Sequence, residues 1–361
     1  MSKHNEKAKE EQAVWHEQGI LASKLGEGDV FIESNNVAFG YWVDQYHQSD
    51  YAKLAKLIYK EGHKSNPRGA ETREILNFCI SNFNPRDRIV CLPKRKLNIG
   101  FAIAEWVSTI VGDDRVDFLT PYIGRYGDYS SDGVHVDGAY GARICSVGQS
   151  QLSGVIEKLK TDESSRQAVI SIYDGNLDLF GKGGVNTPCT LTLHFLIRNN
   201  MLHMIVNMRS NDVYFGFPYD FFNFSMIQEL VTRILGVNLG VYIHNAASMH
   251  LYSSNYDLAI DIENVEKRLS MFDMPKNTSL DDVKFLHEAL RELEDYEALV
   301  FADVEATSLK MISKSKQYFV ELYLACAAMI FITKKKNKEQ AMNCIDHIVS
   351  LALQKVLLNW V

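Results

Sequence analysis

The stretch TPCTLTLHFLIRNNMLHMIVNMRSNDVYFGFPYDFFNF, residues 187–224, decides the fold. Leu191, Leu193, Phe195 and Ile197 alternate with Thr192, His194 and Leu196, the period of two that marks a strand. Asn199 and Asn200 suit a tight turn, and the run from Met201 to Arg209 returns as a second strand. The spacing therefore predicts a hairpin of 190–198 and 201–209. Pro218 and Asp220 open a helix that Gly236 can close. A hairpin sets the start of its first strand beside the end of its second, so Cys189 lies near Arg209. Singly, a Cys is a small buried hydrophobe and an Arg at a strand end meets a surface carboxylate. Together, a fixed guanidinium favours the thiolate, the nucleophilic form, and can clamp a phosphate through two parallel bonds.

Outward from the hairpin, the chain reads as three parts. Residues 1–60 read as helical and polar; the clearest run is YAKLAKLIYKEG (51–62), where Leu54, Leu57 and Ile58 share a face and Gly62 ends it. KSNPRGAETRE (64–74) reads as a loop. LNIGFAIAEWVSTIVGDD (97–114) reads as an apolar helix ending near Gly112, and 150–174 as a helix, an acidic turn and a strand. VYIHNAASMHLYSSN (241–255) is a strand running into a polar loop, and beyond about Glu263 the pattern is almost wholly helical, with KKKNK (334–338) as a solvated turn. GKGG (181–184) lacks the Lys-Ser/Thr and following helix of a phosphate loop and reads as a flexible loop. The expected class is α+β: a helical N-terminal extension over 1–63, a mixed catalytic domain over 64–262 and a helical C-terminal region over 263–361.

Composition narrows the function. With 361 residues the chain can bury a large core, and a net charge of −7 argues against a nucleic-acid surface, which needs clustered Lys and Arg. The six Cys are scattered without CxxC spacing, the pattern of reduced cytoplasmic thiols. The N-terminus has no apolar core of a signal peptide, and YLACAAMIFI (323–332) is too short to span a bilayer. A cytoplasmic protein without a membrane partner is expected. No metal site is expected, since His and Cys lack ligand spacing. His203 and His244 read as satisfied core residues.

A Pro-Cys pair, a hairpin and then RSxDxxxGxPxx resembles the signature of the thymidylate synthase family. The run VNMRSNDVYFGF looks closest to its phage deoxycytidylate hydroxymethylase branch, where Asn follows the Arg-Ser. The resemblance runs in order over about 66–255. It implies that RGAETRE carries a phosphate-binding Arg68, AIAEWV a catalytic Glu105 and AYG a catalytic Tyr140. DESSRQAVISIY would lend Arg166 across a homodimer with shared sites, and SMHLYSSN would hold the sugar hydroxyl through His250 and Tyr252. Arg209 and Ser210 would bind substrate, Asp212 would be catalytic, and Asn211 would have a supporting role. The implied fold is a mixed sheet flanked by helices. The implied substrate is a pyrimidine nucleoside monophosphate and the implied co-substrate 5,10-methylenetetrahydrofolate.

The chemistry fits these residues. Addition of the Cys189 thiolate at C6 of a pyrimidine makes C5 nucleophilic toward a one-carbon electrophile. Glu105 would organise water and move protons near the base. Hydride then gives a methyl group; water gives a hydroxymethyl group. Asp220 stands where the family's uracil-specific members have Asn. An amide donates to O4 and accepts from N3–H of uracil, whereas a carboxylate accepts from N4–H₂ of cytosine, and from N3 once that is protonated. A plain helix-capping role for Asp220 is the alternative. The stretch 118–138 lacks the Trp residues that synthases place beside the reacting carbon, which favours water and a hydroxymethyl product. Arg166 is followed by Gln167 where synthases often have a second Arg, and the family's C-terminal tail that closes over folate is not recognisable. The expectation is a cytidylate or deoxycytidylate 5-hydroxymethyltransferase. A pyrimidine C5 methylase and a catalytically silent nucleotide-binding protein of the same fold are the competing readings.

Overall fold

The computed structural model describes residues 20–24, 30–34, 37–43, 50–92, 95–145, 150–181, 184–262, 269–314 and 316–361. The N-terminal eighteen-residue stretch read as lacking a leader lies outside them, as do residues 182 and 183 of the Gly-rich loop.

The predicted hairpin forms as β7 (Thr190–Arg198) and β8 (Met201–Met208) in a ten-stranded mixed sheet. Asn199 and Asn200 make its turn in the left-handed region, at φ 52 and 59°. The preceding strands are β1 (Ile20–Lys24), β2 (Val30–Ser34), β3 (Val37–Val43), β4 (His63–Ser65), β5 (Thr72–Asn82) and β6 (Val169–Ser171). The two-residue β9 (Asn211–Asp212) and the long β10 (Asn238–Tyr252) complete the set. The order is β1-β2-β3-β5-β10-β8-β7-β6, with β4 on β5 and β9 on β10. β10 runs parallel to β8 and β9, and β3 parallel to β5; the other pairs are antiparallel.

Two expectations change here. The stretch read as helical before residue 60 contains β1, β2 and β3, and only α1 (Tyr51–Glu61) is helical among its described residues. The loop read over 64–74 is tighter than expected: β4 and the start of β5 pair across a 3₁₀ turn at Pro67–Gly69. The alternation of β5 is broken at Asn77, whose φ of 52° is left-handed, and only Phe78, Ile80 and Asn82 are buried at a period of two.

The helices follow the hydrophobic pattern. α2 (Ile99–Val111) starts where the Asn98 side chain accepts from Phe101 N at 2.9 Å and ends at Gly112, whose φ of 79° is left-handed. α3 (Gln151–Thr161) precedes β6. α4 (Phe217–Leu235) packs on the sheet, its Gln228 amide reaching the carbonyls of Leu202, Gly240 and Val241 at 2.9, 3.3 and 3.2 Å. Then come α5 (Leu280–Arg291), α6 (Phe301–Lys314), α7 (Gln317–Thr333), α8 (Lys338–Asp346) and α9 (Leu351–Leu358). α7 lies against α2 at Gly100, where a β-carbon would sit 2.9 Å from Cβ of Met329. Glu229 of α4 is buried against Arg88, at 2.5 Å, and Arg86, at 2.8 Å, and accepts from Met274 N at 3.1 Å. That network ties the segment after residue 269 to α4.

One face of the sheet is core: Leu193, Phe195, Met204, Val206, Tyr242 and His244 are buried. The opposite face, with Leu196, Ile205 and Ile243, is half-buried in the single chain. No helix among the described residues is long and apolar enough to cross a membrane.

Candidate active site

At the carboxyl end of β8 the chain opens into a cavity of about 600 Å³. Arg68, Glu105, Tyr140, Cys189, Arg209, Ser210, Asn211, Asp212, Asp220, His250 and Tyr252 all line it. Arg166 does not; it is exposed on a separate shallow groove with Lys158 and Gln167.

The hairpin sets the nucleophile and the cation side by side. Arg209 N donates to Cys189 O at 2.9 Å. The guanidinium is fixed by the carbonyls of Pro188 and Thr187, both at 2.9 Å, and by Ser210 Oγ at 3.2 Å. Arg209 Nη2 and Ser210 Oγ then lie 3.7 and 3.8 Å from Cys189 Sγ. Burial nevertheless pushes the Cys189 thiol up, and the cations Arg209 and Arg68 offset only part of that. The expectation that Arg209 favours the thiolate gives the sign of its effect, but burial outweighs it and Cys189 rests as a thiol.

The opposite wall holds protons. Burial pushes Glu105 up to about 8, with the neighbouring Asp220 adding to it, so the acid is protonated at neutral pH. Burial also pushes Asp220 up to about 7, against the bonds it receives from Asn211 and Tyr140. Asp220 is not the cap of its helix: α4 begins at Phe217 with Gly216 in the cap position. The Asp220 carboxyl instead accepts from Asn211 Nδ2 at 2.7 Å. Tyr140 is held by stacking on Phe224, ring centroids 5.7 Å apart. Asp212 and His250 face each other across the β9–β10 pairing, and burial pushes the first up and the second down. His250 meets the ring of Tyr252 edge-on at 5.2 Å. Arg68 reaches the cavity from the 3₁₀ turn with φ 55°, a left-handed conformation that is uncommon outside glycine and concentrates at binding loops.

Several lining residues carried no sequence signal. Tyr126 and Tyr129 stand in the stretch noted for lacking Trp; their rings are 5.5 Å apart, and Tyr126 leans on Phe101 at 5.6 Å. Arg125 lies over Phe215 at 5.8 Å. Only folding brings these to the site; the aromatic spacing over 118–129 was the available hint. Asp113, also on the wall, bonds His287 of α5 at 2.7 Å and Arg291. Among the described residues none beyond 262 lines the cavity. Trp360 Nε1 donates to Leu97 O at 2.9 Å.

A family model described as thymidylate synthase matches residues 49–305. The chain belongs to the thymidylate synthase family. The fold just described is the thymidylate synthase fold, a mixed sheet flanked by helices. The chain is 34% identical over 229 residues to the deoxyuridylate hydroxymethyltransferase of Bacillus phage SP01, covering 60% of either protein. It is 32% identical over 224 residues to the protein of the same name from Delftia phage PhiW-14, covering 59% of this chain and 62% of that one. A putative thymidylate synthase of Methanocaldococcus jannaschii is 28% identical over 210 residues, 56% of this chain and 86% of that one. The chain thus spans about three-fifths of the two phage relatives.

Proposed function

We propose that this member of the thymidylate synthase family transfers a one-carbon unit from 5,10-methylenetetrahydrofolate to C5 of a cytosine nucleoside monophosphate, leaving a hydroxymethyl group. The observation that carries this reading is the cavity itself: Cys189, with Arg209 and Ser210, faces two proton-holding carboxyls, Glu105 and Asp220. Arg209, Ser210 and Arg68 suit the phosphate, and His250 and Tyr252 the sugar. Cys189 Sγ adds to C6 of the base, its proton passing to solvent water as the bond forms. The electron pair of the 5,6 double bond then resides at C5. Glu105, protonated near pH 7 and in the cavity wall, supplies and recovers protons at the base.

The folate derivative, when bound, supplies the electrophilic carbon. A cavity of about 600 Å³ with an aromatic wall of Phe101, Tyr126, Tyr129 and Phe215 fits a nucleotide and a flat heterocycle together. That wall is made of Tyr and Phe, two of them hydroxyl-bearing, and supports water as the final nucleophile.

Asp220 supports cytosine: its carboxyl lies in the cavity and accepts N–H bonds. A second reading, a uracil nucleotide, draws on the name of the phage relatives and on the proton that burial helps Asp220 to hold, which can be donated to O4. We also infer a two-fold homodimer joined through the half-buried sheet face, with Arg166 of each protomer completing the partner's phosphate site. Arg166 supports this by being exposed and outside its own cavity.

Incubation with CMP, dCMP, UMP and dUMP, each with methylenetetrahydrofolate, tests the reading by product mass. Gain of CH₂O on a cytosine nucleotide is expected. Gain of CH₂O on uracil alone supports the second reading, gain of CH₂ means a methylase, and no product on any of the four removes the enzymatic reading.

A further inference from the structure

Behind Asp220 a line of hydrogen bonds runs into the sheet. Asn211 Nδ2 donates to Asp220 Oδ2 at 2.7 Å. Asn211 Oδ1 lies 3.2 Å from Nε2 of His244, and Nδ1 of His244 lies 2.9 Å from the Tyr242 hydroxyl. Asn211, His244 and Tyr242 are buried, and the rings of Phe217 and Phe221 pack edge-on against His244 and Tyr242 at 5.2 and 4.8 Å. Burial pushes His244 down to about 3, so its ring is neutral and carries one proton.

The direction of every bond in this line follows from the one next to it. Asn211 turns its amide N–H to Asp220, so its oxygen must be met by a donor. Nε2 of His244 therefore carries the ring proton. Nδ1 is then an acceptor, and the Tyr242 hydroxyl donates to it. The reversed line, with Asn211 oxygen toward Asp220 and the His244 proton on Nδ1, is self-consistent too, and it would place the Asp220 proton on Oδ2.

We propose that Tyr242 and His244 are positioning residues for base selection: they fix the amide of Asn211, which fixes which oxygen of Asp220 offers a lone pair and which a proton to the pyrimidine edge. The inference deepens, and rests on, the reading of Asp220 as the residue that meets the base. A neutral carboxyl matches either base. With cytosine its O–H meets N3 and its bare oxygen accepts from N4–H₂. With uracil its O–H meets O4 and its bare oxygen accepts from N3–H. The two differ only in which oxygen bears the proton. The N–H of Asn211 keeps Oδ2 an acceptor and leaves the proton to Oδ1. The other groups about Asp220 impose no such choice: the Tyr140 hydroxyl can turn to donate or accept, and the neighbouring Asp212 helps Asp220 keep its proton without choosing between its oxygens. Under the cytosine reading Oδ2 meets N4–H₂ and the proton on Oδ1 meets N3.

Two measurements on the full chain test this. In protein labelled with ¹⁵N at histidine, His244 should show the Nε2–H tautomer at pH 7; the Nδ1–H tautomer overturns the proposal. In His244→Phe the amide of Asn211 is released, and the cytosine-to-uracil ratio of kcat/KM should fall by up to about tenfold, the upper weight of one hydrogen bond between neutral groups. Tyr242→Phe removes a single hydroxyl; it should move the ratio the same way by less, and it carries the test if His244→Phe does not fold. Equal losses on both bases in the folded variants mean that the line is structural only, and overturn the proposal. A wild-type preference for uracil sinks the cytosine reading alone; the positioning role then stands if the His244 tautomer holds and the variants still change the ratio, and falls if they do not.

Discussion

Asp220 and Cys189 carry the account at the scale of single residues. Asp220→Asn exchanges an acceptor oxygen for a donor amide at nearly constant volume. Its ratio of kcat/KM should move toward uracil by up to roughly tenfold, since one hydrogen bond between neutral groups is worth about 0.5–1.5 kcal/mol. Steady-state kinetics on dCMP and dUMP measure it; an unmoved ratio removes Asp220 from base reading. Cys189→Ser should abolish turnover while nucleotide binding, followed by calorimetry, survives, because the phosphate and base contacts remain. Burial pushes Glu105 up to about 8; if it serves as the protonated acid, kcat should fall as pH rises through about 8. Glu105→Gln should flatten that limb as well as slow the reaction. Cys189 and Arg209 were legible because a hairpin makes distant positions adjacent by rule. His244 was read as a satisfied core histidine, and it is buried and bonded; its link to Asp220 was invisible because it runs through Asn211, thirty-three residues away. For Tyr126 and Tyr129 the aromatic spacing over 118–129 is a hint, but it does not say that tertiary packing carries them to the site.

At the scale of elements, period two and glycine stops read the hairpin, α2 and α4 well. β1 to β3 escape the reading because their short runs, rich in Val, Ile and aromatics, follow a charged first stretch whose composition favours helix. β5 is hidden by Arg73 and Glu74 near its start and by the left-handed Asn77, which breaks its period of two. The contact of α2 with α7 was also unreadable, since Gly100 looks like an ordinary helical weakness. It is a point of close approach, with Met329 filling the space a side chain would need. Gly100→Ala should therefore destabilise the fold by about 1–3 kcal/mol despite the better helix propensity of Ala. Urea unfolding measures this; a gain in stability would show that the helices simply part. Because α2 carries Glu105, the variant should also lower kcat.

At the scale of the whole molecule, the half-buried sheet face and the stranded Arg166 belong to one argument. If each site borrows Arg166 from its neighbour, Arg166→Ala and Cys189→Ala chains, each inactive alone, should regain activity when mixed and allowed to exchange. One hybrid site in each mixed dimer then holds both residues. Mixed dimers without activity would leave Arg166 outside the site. The central claim is a covalent Cys189 adduct to a cytosine nucleotide, made competent by methylenetetrahydrofolate. A fluorine at C5 cannot depart as a proton does, so 5-fluoro-dCMP should halt the reaction with protein, nucleotide and folate joined. Intact-protein mass spectrometry after denaturation is the most direct measurement. The account predicts that ternary mass with 5-fluoro-dCMP, its loss in Cys189→Ser, and a weaker adduct with 5-fluoro-dUMP. An adduct that forms with the uracil analogue alone, or one that persists without Cys189, would contradict it.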